Sequence, residues 1–267
     1  MTNTSQRLKG NTWVIVEICG QQFAIRADHV HEILSMPEIT SIPMCRPQSR
    51  GVICLRGRVL PLIDMRKCFG WQSVPEELDA FYALMNQREQ DHRNWLVALE
   101  KSVAEDTEFR LATDPHKCAF GQWYYSYRSP SPWVMSLLRK FESPHNSIHA
   151  IAVQALELAK AQKLEQAYRL IQEKRDGELG EMVSLFRSFK ELMRETLKEL
   201  AMVITMHQKP FAVAIDGALA VEAVSSDLIK ELDTNAFAAG RGLVHRVLER
   251  AASKSFAMIL EPEMFEV

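Results

Sequence analysis

Residues 50–70 read RGVICLRGRVLPLIDMRKCFG, and this stretch identifies the chain as partly β. Its two apolar runs, VICL and RVLPLI, are separated by Arg56-Gly57, where glycine can supply the positive φ of a tight turn. Short β-branched runs around such turns are typical of β-hairpins. The stretch therefore predicts a hairpin, and the same texture extends upstream through FAI and WVIVEI to Asn11.

The texture changes between Glu76 and Leu200, where apolar residues recur every three or four positions and indicate helices. After residue 200 the β-type runs return as AMVITM, FAVAI, LAVEAV and FAMIL. Each β part alone has about 65 residues, a size at which a core becomes marginal. We therefore expect one β domain interrupted by an inserted helical domain, with boundaries at 1–75, 76–200 and 201–267.

The helical block predicts a bundle of four or five helices. Its first helix has an inward stripe that includes Met85, His92 and Leu96. A second long helix is expected from near Pro144 to about Lys174, because proline suits the first turn of a helix. Gly177 is expected to end that helix.

Composition excludes several classes of protein. The 267 residues are 47% hydrophobic and 25% charged, which is typical of soluble globular chains. The net charge of −2 lacks the basic excess of a protein bound to nucleic acid. The longest apolar runs fall far short of the roughly 20 residues of a membrane span. We therefore expect neither nucleic acid as a partner nor direct insertion into a membrane.

The opening MTNTSQRLKG has no apolar signal core, which predicts a cytoplasmic protein. The five cysteines form no C-x-x-C pair, and their odd number suits reduced thiols. Three of them lie in or beside apolar strand segments and are expected to be inert packing residues: Cys19, Cys54 and Cys68.

Four metal-binding side chains fall in the helical block. His145 and His149 are four residues apart, which places both imidazoles on one helix face. That spacing alone is a weak signal, but His92 lies on an inward stripe and Cys118 lies at the start of a short helix. The helix dipole is expected to lower the pKa of the Cys118 thiol there. His116 is expected to face solvent.

The residues around these donors resemble the chemoreceptor zinc-binding (CZB) family. They are His92-Arg-Asn-Trp95, Cys118-Ala-Phe-Gly-Gln-Trp123 and Pro144-His145-Asn-Ser-Ile-His149. The resemblance implies one zinc ion per chain, held by His92, Cys118, His145 and His149. Three imidazoles and one thiolate fill a tetrahedron, which leaves no position for a catalytic water. The protein is therefore expected not to be an enzyme, and Cys118 is expected to be the redox-sensitive thiol.

The hairpin at 50–70 and the preceding FAIRADHVHEIL resemble the CheW-like adaptor family, as does the segment that begins AMVITMHQKPFAVAI. The resemblance implies an α+β multidomain protein, in which a CheW-like pair of five-stranded β-barrels is interrupted by the helical bundle. It also implies two partners, the cytoplasmic tip of a chemoreceptor and a CheA-type histidine kinase, and hence association with receptor arrays. Val30 and Arg56 match the receptor-facing surface, with Glu32 and Arg58 as weaker companions.

Several alternatives stay open at this point. Arg56-Gly57 could serve only as a hairpin turn. The zinc could be sensed, with oxidants such as hypochlorous acid acting on Cys118, or it could be a structural brace in a constitutive adaptor. A zinc-dependent hydrolase with one donor released is the alternative from the enzyme class. A homodimer through the helical block is a further expectation.

Overall fold

In the computed structural model, the residues described are 11–43, 46–206, 208–232, 244–250 and 254–261. The chain divides into two compact units. One combines residues 1–74 with 198–267, and the other spans Pro75–Leu197. None of the helices in the described ranges is long and apolar enough to cross a membrane.

Among its described residues, the first unit contains two sheets of six strands each. The first half of the chain supplies β1 (Thr12–Ile18), β2 (Gln21–Arg26), β3 (Val30–Ser35), β4 (Ile39–Thr40), β5 (Ser49–Leu55) and β6 (Arg58–Asp64). The second half supplies β7 (Leu200–Met206), β8 (Lys209–Ile215), β9 (Gly217–Ala223), β10 (Ile229–Glu231), β11 (Arg246–Arg250) and β12 (Ser255–Ile259).

Each sheet combines strands from both sides of the helical block. The strand order is β10-β11-β12-β2-β1-β9 in one sheet and β3-β7-β8-β6-β5-β4 in the other. The pairings β12 with β2 and β6 with β8 are parallel, and the other recorded pairings are antiparallel. The expected α+β architecture is confirmed, with six strands per sheet where the resemblance implied five per barrel. The additional strands are short, as β4 and β10 have two and three residues.

An apolar core joins the two sheets of this unit. Val16 and Phe23 from one sheet are fully buried in the same cluster as Met202 and Phe211 from the other. Burial of such side chains stabilises the fold by about 1.5–3 kcal/mol each. The β strands on either side of the helical block therefore depend on one another for their burial.

The short helix α1 (Met65–Cys68) follows β6 and begins with Asp64 as its N-cap. Asp64 is buried and lies 3.8 Å from the guanidinium of Arg50, which forms two hydrogen bonds to Glu199 at 2.6 and 2.7 Å. Arg66 binds Asp216 in the same way at 2.7–3.2 Å. These ion pairs connect residues that lie some 150 positions apart in the chain.

The second unit is helical. Its helices are α2 (Val74–Glu105), α3 (Ala119–Ser126), α4 (Pro132–Arg139), α5 (Glu142–Lys160), α6 (Leu164–Lys174) and α7 (Gly180–Thr196). One core of buried side chains contains Leu96 and Leu99 of α2, Phe120 of α3 and Phe186 of α7. The stripe predicted on the first helix is therefore the one that faces this core.

The long helix predicted from Pro144 to Lys174 is interrupted. Gln162 adopts a left-handed conformation with φ of 60°, and the Lys163 amide donates to the carbonyl of Leu158 at 2.9 Å. This hydrogen bond is typical of helix C-termini, where the residue in the left-handed conformation is usually glycine. Because a glutamine occupies the position, the pattern of apolar residues alone did not reveal the break.

The prediction that Gly177 ends a helix is wrong. Gly177 lies in a π-helical turn, Arg175–Leu179, which runs from α6 into α7 without a break. Side chains on both sides of Gly177 are tied to neighbouring helices. Lys174 and Glu178 both bind Ser147, and Arg175 binds Glu100.

Candidate metal centre

Three segments of the helical unit bring four donor side chains together. His92 lies on α2, Cys118 precedes α3, and His145 and His149 lie on α5. One potential ligand atom from each of the four lies within 4.8 Å of every other. Within the part of the chain that the structure describes, these four residues form the single group of His, Cys, Asp or Glu side chains close enough to hold a metal ion.

The three imidazoles are withdrawn from water. His92, His145 and His149 expose 2%, 0% and 1% of their surface, whereas Cys118 is half-buried. A buried polar group without a hydrogen-bond partner lowers the stability of the fold, so each buried ring nitrogen is expected to have a partner or a ligand. Cys118 is the member of the four that retains some access to solvent.

Two of the histidines are oriented by backbone carbonyls. Nδ1 of His92 lies 2.7 Å from the carbonyl of Arg88, and Nδ1 of His149 lies 3.1 Å from that of Ala112. A carbonyl oxygen only accepts, so the proton of each neutral ring is on Nδ1. The Nε2 lone pairs are then free, and these Nε2 atoms have no hydrogen-bond partner among the described residues.

His145 is held differently. Its Nε2 lies 3.2 Å from Sγ of Cys118, while its buried Nδ1 has no hydrogen-bond partner in the described ranges. Its ring packs edge-on against those of His92 and His149, with centroids 5.0 and 4.8 Å apart. The three rings and the sulfur therefore surround one small volume.

Burial keeps the imidazoles neutral. It lowers the pKa of His145 to about 2 and that of His149 to about 4, and neighbouring imidazoles add to both shifts. Burial also lowers the pKa of His92. Because metals bind the neutral ring, all three histidines are in the ligand form at neutral pH.

Cys118 is the N-cap of α3, and its sulfur accepts the Gly121 amide at 3.2 Å. The structure does not show the predicted lowering of its pKa by the helix terminus. Burial raises the pKa of the thiol, and the amides of Gly121 and Phe120 oppose that rise only in part. A bound cation is therefore needed to hold this sulfur as a thiolate.

Gly121 allows the turn before α3 to fold tightly. A Cβ atom at this position would lie 1.8 Å from the carbonyl oxygen of Pro115. Backbone must therefore move if any other residue replaces it. Since residues 115–118 lead directly into the donor, the glycine fixes where the sulfur sits.

These observations fit zinc. Zinc sites use imidazole nitrogens and thiolate sulfur as ligands. Here two Nε2 atoms have no partner among the described residues, and a third imidazole contacts a sulfur. Zinc sites also use backbone carbonyls as hydrogen-bond acceptors for the ligand rings, as two of the rings have here. With four protein donors, the tetrahedron is complete. The fit identifies His92, Cys118, His145 and His149 as the residues that would hold the ion.

The other histidine near the site lies outside this group. His116 is exposed and stacks on Tyr125, with ring centroids 4.0 Å apart. The carbonyls of Arg88 and Ala112 were not predicted from the sequence, because every residue has a backbone carbonyl and its residue type does not show what that carbonyl binds.

The expectation that Cys19 and Cys54 are inert packing residues is wrong, because both are exposed. Cys19 lies in the turn between β1 and β2 with φ of 51°, and Cys54 lies on β5 beside the exposed Val59. Cys68 is half-buried, and burial raises its pKa to about 11. Cys45 lies outside the described residues.

The residues predicted to face a receptor lie around one hairpin of the first unit. Arg56 and Gly57 form the two-residue turn between β5 and β6, with φ of 50° and 79°. Arg56 is 79% exposed and binds Glu32 of β3 at 2.8 Å. Val30 is the first residue of β3 and Arg58 the first residue of β6. Of the four predicted residues, Arg56 and Glu32 are the two that form an ion pair.

Comparison with known proteins agrees with both resemblances. Residues 12–100 match the CheW-like domain family, and residues 92–156 match the chemoreceptor zinc-binding domain family. All four donors lie within the residues that match the chemoreceptor zinc-binding domain family. The chain is therefore similar to CheW-like domains over residues 12–100 and to chemoreceptor zinc-binding domains over residues 92–156.

One curated protein and one solved structure are also similar to this chain. The chemotaxis protein CheW of Thermotoga maritima is 31% identical over 70 residues, which are 26% of this chain and 46% of that protein. The chain therefore spans about half the length of this curated relative. The crystal structure of the scaffolding protein TtCheW from Thermoanaerobacter tengcongensis aligns over 97% of this chain and 94% of that one, with 11% identity and a TM-score of 0.45.

Proposed function

We propose that the protein is a non-enzymatic signalling adaptor of the chemotaxis type, whose helical unit binds one zinc ion. The observation that carries the proposal is the convergence of four donors within 4.8 Å in a helical unit, which lies in the chain between the two parts of the β unit. The partners are the cytoplasmic tip of a chemoreceptor and a CheA-type histidine kinase. The CheW-like match supports this choice of partners.

We further propose that residues 1–75 and 201–267 together form the CheW-like domain, with 76–200 as the inserted zinc-binding domain. The CheW-like match covers residues 12–100 and does not reach residues 201–267. The mixed sheets support the assignment of the second part, because β7 and β8 lie beside strands of the first half in one sheet. Neither β part could complete its sheets alone.

The role of the metal follows from the residues around it. A zinc ion at this site would supply positive charge that keeps Cys118 deprotonated. Arg88 and Ala112 hold two imidazoles by their carbonyls, so the ligands are set before any ion arrives. Four protein donors favour this adaptor over a zinc-dependent hydrolase, which needs a position open to water.

Cys118 is the proposed target of oxidants. Its thiolate would react with hypochlorous acid to give sulfenic acid and chloride, so sulfur is oxidised and chlorine reduced. Sulfenic acid is a weaker ligand than thiolate, and one corner of the tetrahedron would loosen. Half-burial leaves the sulfur accessible, unlike the three histidines.

The experiment combines graded hypochlorous acid with mapping of oxidised cysteines by mass spectrometry. In the zinc-loaded protein, Cys118 should oxidise before Cys19 and Cys54. In the metal-free protein, the order should reverse, since burial raises the pKa of the Cys118 thiol and the other two are exposed. Earlier oxidation of Cys19 and Cys54 in the loaded protein would contradict the proposal.

Coupling to signalling is tested with a receptor fragment and a CheA-type kinase. Binding and kinase activity are compared for zinc-loaded, chelated and oxidised protein, with Cys118→Ser as the matched variant. If the adaptor senses oxidants through its zinc site, oxidation should change receptor binding and kinase activity with the native protein. The same treatment should leave both unchanged with Cys118→Ser. Equal responses of both proteins would instead indicate structural zinc in a constitutive adaptor.

A homodimer through the helical unit is part of the proposal. Val97 on α2 and Val153 on α5 are 57% and 60% exposed, which is apolar surface that a second copy could cover. Sedimentation of the native chain and of Val97→Glu should show a dimer that the substitution weakens. A native monomer at high protein concentration would contradict the homodimer.

A further inference from the structure

One carbonyl of the loop between α2 and α3 serves two side chains at once. The oxygen of Ala112 accepts from the indole Nε1 of Trp95 at 2.8 Å and from Nδ1 of His149 at 3.1 Å. A carbonyl oxygen has two lone pairs, so it can satisfy both donors. The indole and the imidazole are therefore linked through a single backbone atom.

Trp95 is well placed to fix that atom. It is 4% exposed and lies on α2, one turn of helix from His92. Its ring packs edge-on against Phe109 of the loop and against His149, with centroids 5.1 and 4.9 Å away. The loop from Thr107 to Cys118 contains no helix or strand, and the recorded hydrogen bonds to its Ala112 carbonyl come from the side chains of Trp95 and His149.

We propose that Trp95 is a positioning residue of the metal centre, which acts on His149 through the carbonyl of Ala112. The inference rests on the proposed zinc binding. Trp95 does not offer a ligand atom; it holds the acceptor that keeps the His149 proton on Nδ1 and turns Nε2 toward the other donors. Groups that orient a ligand in this way typically contribute 10–100-fold to metal affinity.

The same loop carries a second ligand. Cys118 follows Ala112 by six residues and closes the loop at the start of α3. Trp95 reaches the loop through the Ala112 carbonyl, at the point that supports His149 and six residues before the sulfur. His92 has its own acceptor, the carbonyl of Arg88 within α2, and does not depend on this loop.

The test measures the zinc dissociation constant by competition with a chelator. Trp95→Phe retains an aromatic ring and removes the N–H donor, and it should weaken zinc binding about tenfold. Trp123→Phe is the control, because Trp123 belongs to the same helical core and its ring packs against Phe120 and Tyr127. That variant should leave the dissociation constant within about twofold of the native value.

A double-mutant cycle separates positioning from loss of structure. If Trp95 acts through His149, Trp95→Phe should have no further effect on zinc affinity in a His149→Ala background. A merely structural role predicts that Trp95→Phe weakens binding by the same factor in both backgrounds. That second result, or an unchanged affinity of Trp95→Phe itself, would overturn the inference.

A second variant guards against misfolding. Replacement of Trp95 by benzothienylalanine keeps the size of the ring and substitutes sulfur for the N–H group. It should reproduce the loss of zinc affinity without changing the melting temperature of the metal-free protein, and native affinity in this variant would also overturn the inference. If the native chain itself binds no zinc, the proposed function fails, which is a distinct result from equal affinity of native and substituted chains.

Discussion

The sulfur of Cys118 lies 3.2 Å from Nε2 of His145, although the two residues are 27 positions apart in the chain. This contact joins the start of α3 to the first turn of α5 inside the helical unit. His145 is the histidine of the three that has no carbonyl behind Nδ1 among the described residues. The sulfur is therefore the group that orients its ring.

Loss of one ligand should weaken the metal centre and the unit that surrounds it. His149→Ala removes a donor and leaves a small cavity, and we expect zinc affinity to fall more than about 100-fold, beyond the effect of losing a supporting group. Metal binding free energy is in part folding free energy, so the gain in melting temperature on adding zinc should also shrink. Chelator competition and thermal unfolding with and without zinc measure both effects.

The matched control is His116→Ala, which removes an exposed histidine close to the site. It should bind zinc like the native chain. Equal losses in the two variants would show that His149 is not a specific ligand.

The metal-free protein should lose stability in mild acid. Both His145 and His149 have pKa values lowered from 6.5, to about 2 and about 4, so only the unfolded chain takes up their protons just below pH 6.5. Stability is then full above pH 6.5 and falls as the pH drops toward 4, by about 1.4 kcal/mol per pH unit for each histidine. Denaturant unfolding in chelator at several pH values between 7.5 and 5 measures the slope.

Replacement of both histidines by glutamine should remove this part of the pH dependence. The difference between native and substituted chains isolates the two groups from other titrating residues. The same slope in both chains would contradict the neutral, buried state of the imidazoles.

Two glycines of the helical unit should respond in opposite ways to alanine. Gly121→Ala places a Cβ atom 1.8 Å from the Pro115 carbonyl, so the turn that carries Cys118 must move and zinc affinity should fall at least tenfold. Gly177→Ala meets nothing within 4 Å. Because alanine is favoured over glycine in a helix, Gly177→Ala should leave the free energy of unfolding of the unit unchanged or raise it by about 0.5–1 kcal/mol.

Chelator competition for both variants and thermal unfolding of the metal-free chains give the comparison. Native zinc affinity in Gly121→Ala would show that the turn can relax without moving the sulfur.

Charge reversal at Arg56 tests the proposed receptor surface. Arg56 is 79% exposed and its ion pair with Glu32 is on the surface, where such pairs contribute about 0–1 kcal/mol to stability. Arg56→Glu should therefore leave the fold intact and lower binding to a receptor tip about tenfold or more, as read by titration with a receptor fragment.

The exchanged pair Arg56→Glu with Glu32→Arg restores the local attraction. If the arginine itself contacts the receptor, the exchange should not restore binding. Undiminished binding of the folded single variant would place the receptor surface elsewhere.

Periodic patterns carried most of the fold prediction. The switch from β-branched runs to a helical period near Glu76 and back near residue 200 predicted the inserted helical unit, because side-chain direction follows the backbone period. Local exceptions to residue preference were not predictable. Gln162 ends a helix where glycine is usual, through local backbone hydrogen bonds. Gly177 continues a helix, and side chains beside it bind distant residues such as Ser147.

The candidate site was predictable to the extent that ligands have characteristic residue types. Histidines on inward stripes, a cysteine at a helix start and the resemblance to the zinc-binding family pointed to His92, Cys118, His145 and His149. The structure brings these four together. The acceptors behind the rings belong to Arg88 and Ala112, whose side-chain types carry no such signal. Exposure of Cys19 and Cys54 depends on where their strands and turns lie in the sheets, which local sequence does not specify.

The central claim, a closed zinc centre built from three imidazoles and one thiolate, is tested most directly by X-ray absorption at the zinc edge of the zinc-loaded native chain. A closed centre predicts one zinc per chain with one sulfur at about 2.3 Å and three nitrogens at about 2.0–2.1 Å. Cys118→Ser measured beside it should lack the sulfur distance. A native spectrum without sulfur, or with additional oxygen ligands from water, would contradict the closed centre and favour an open site.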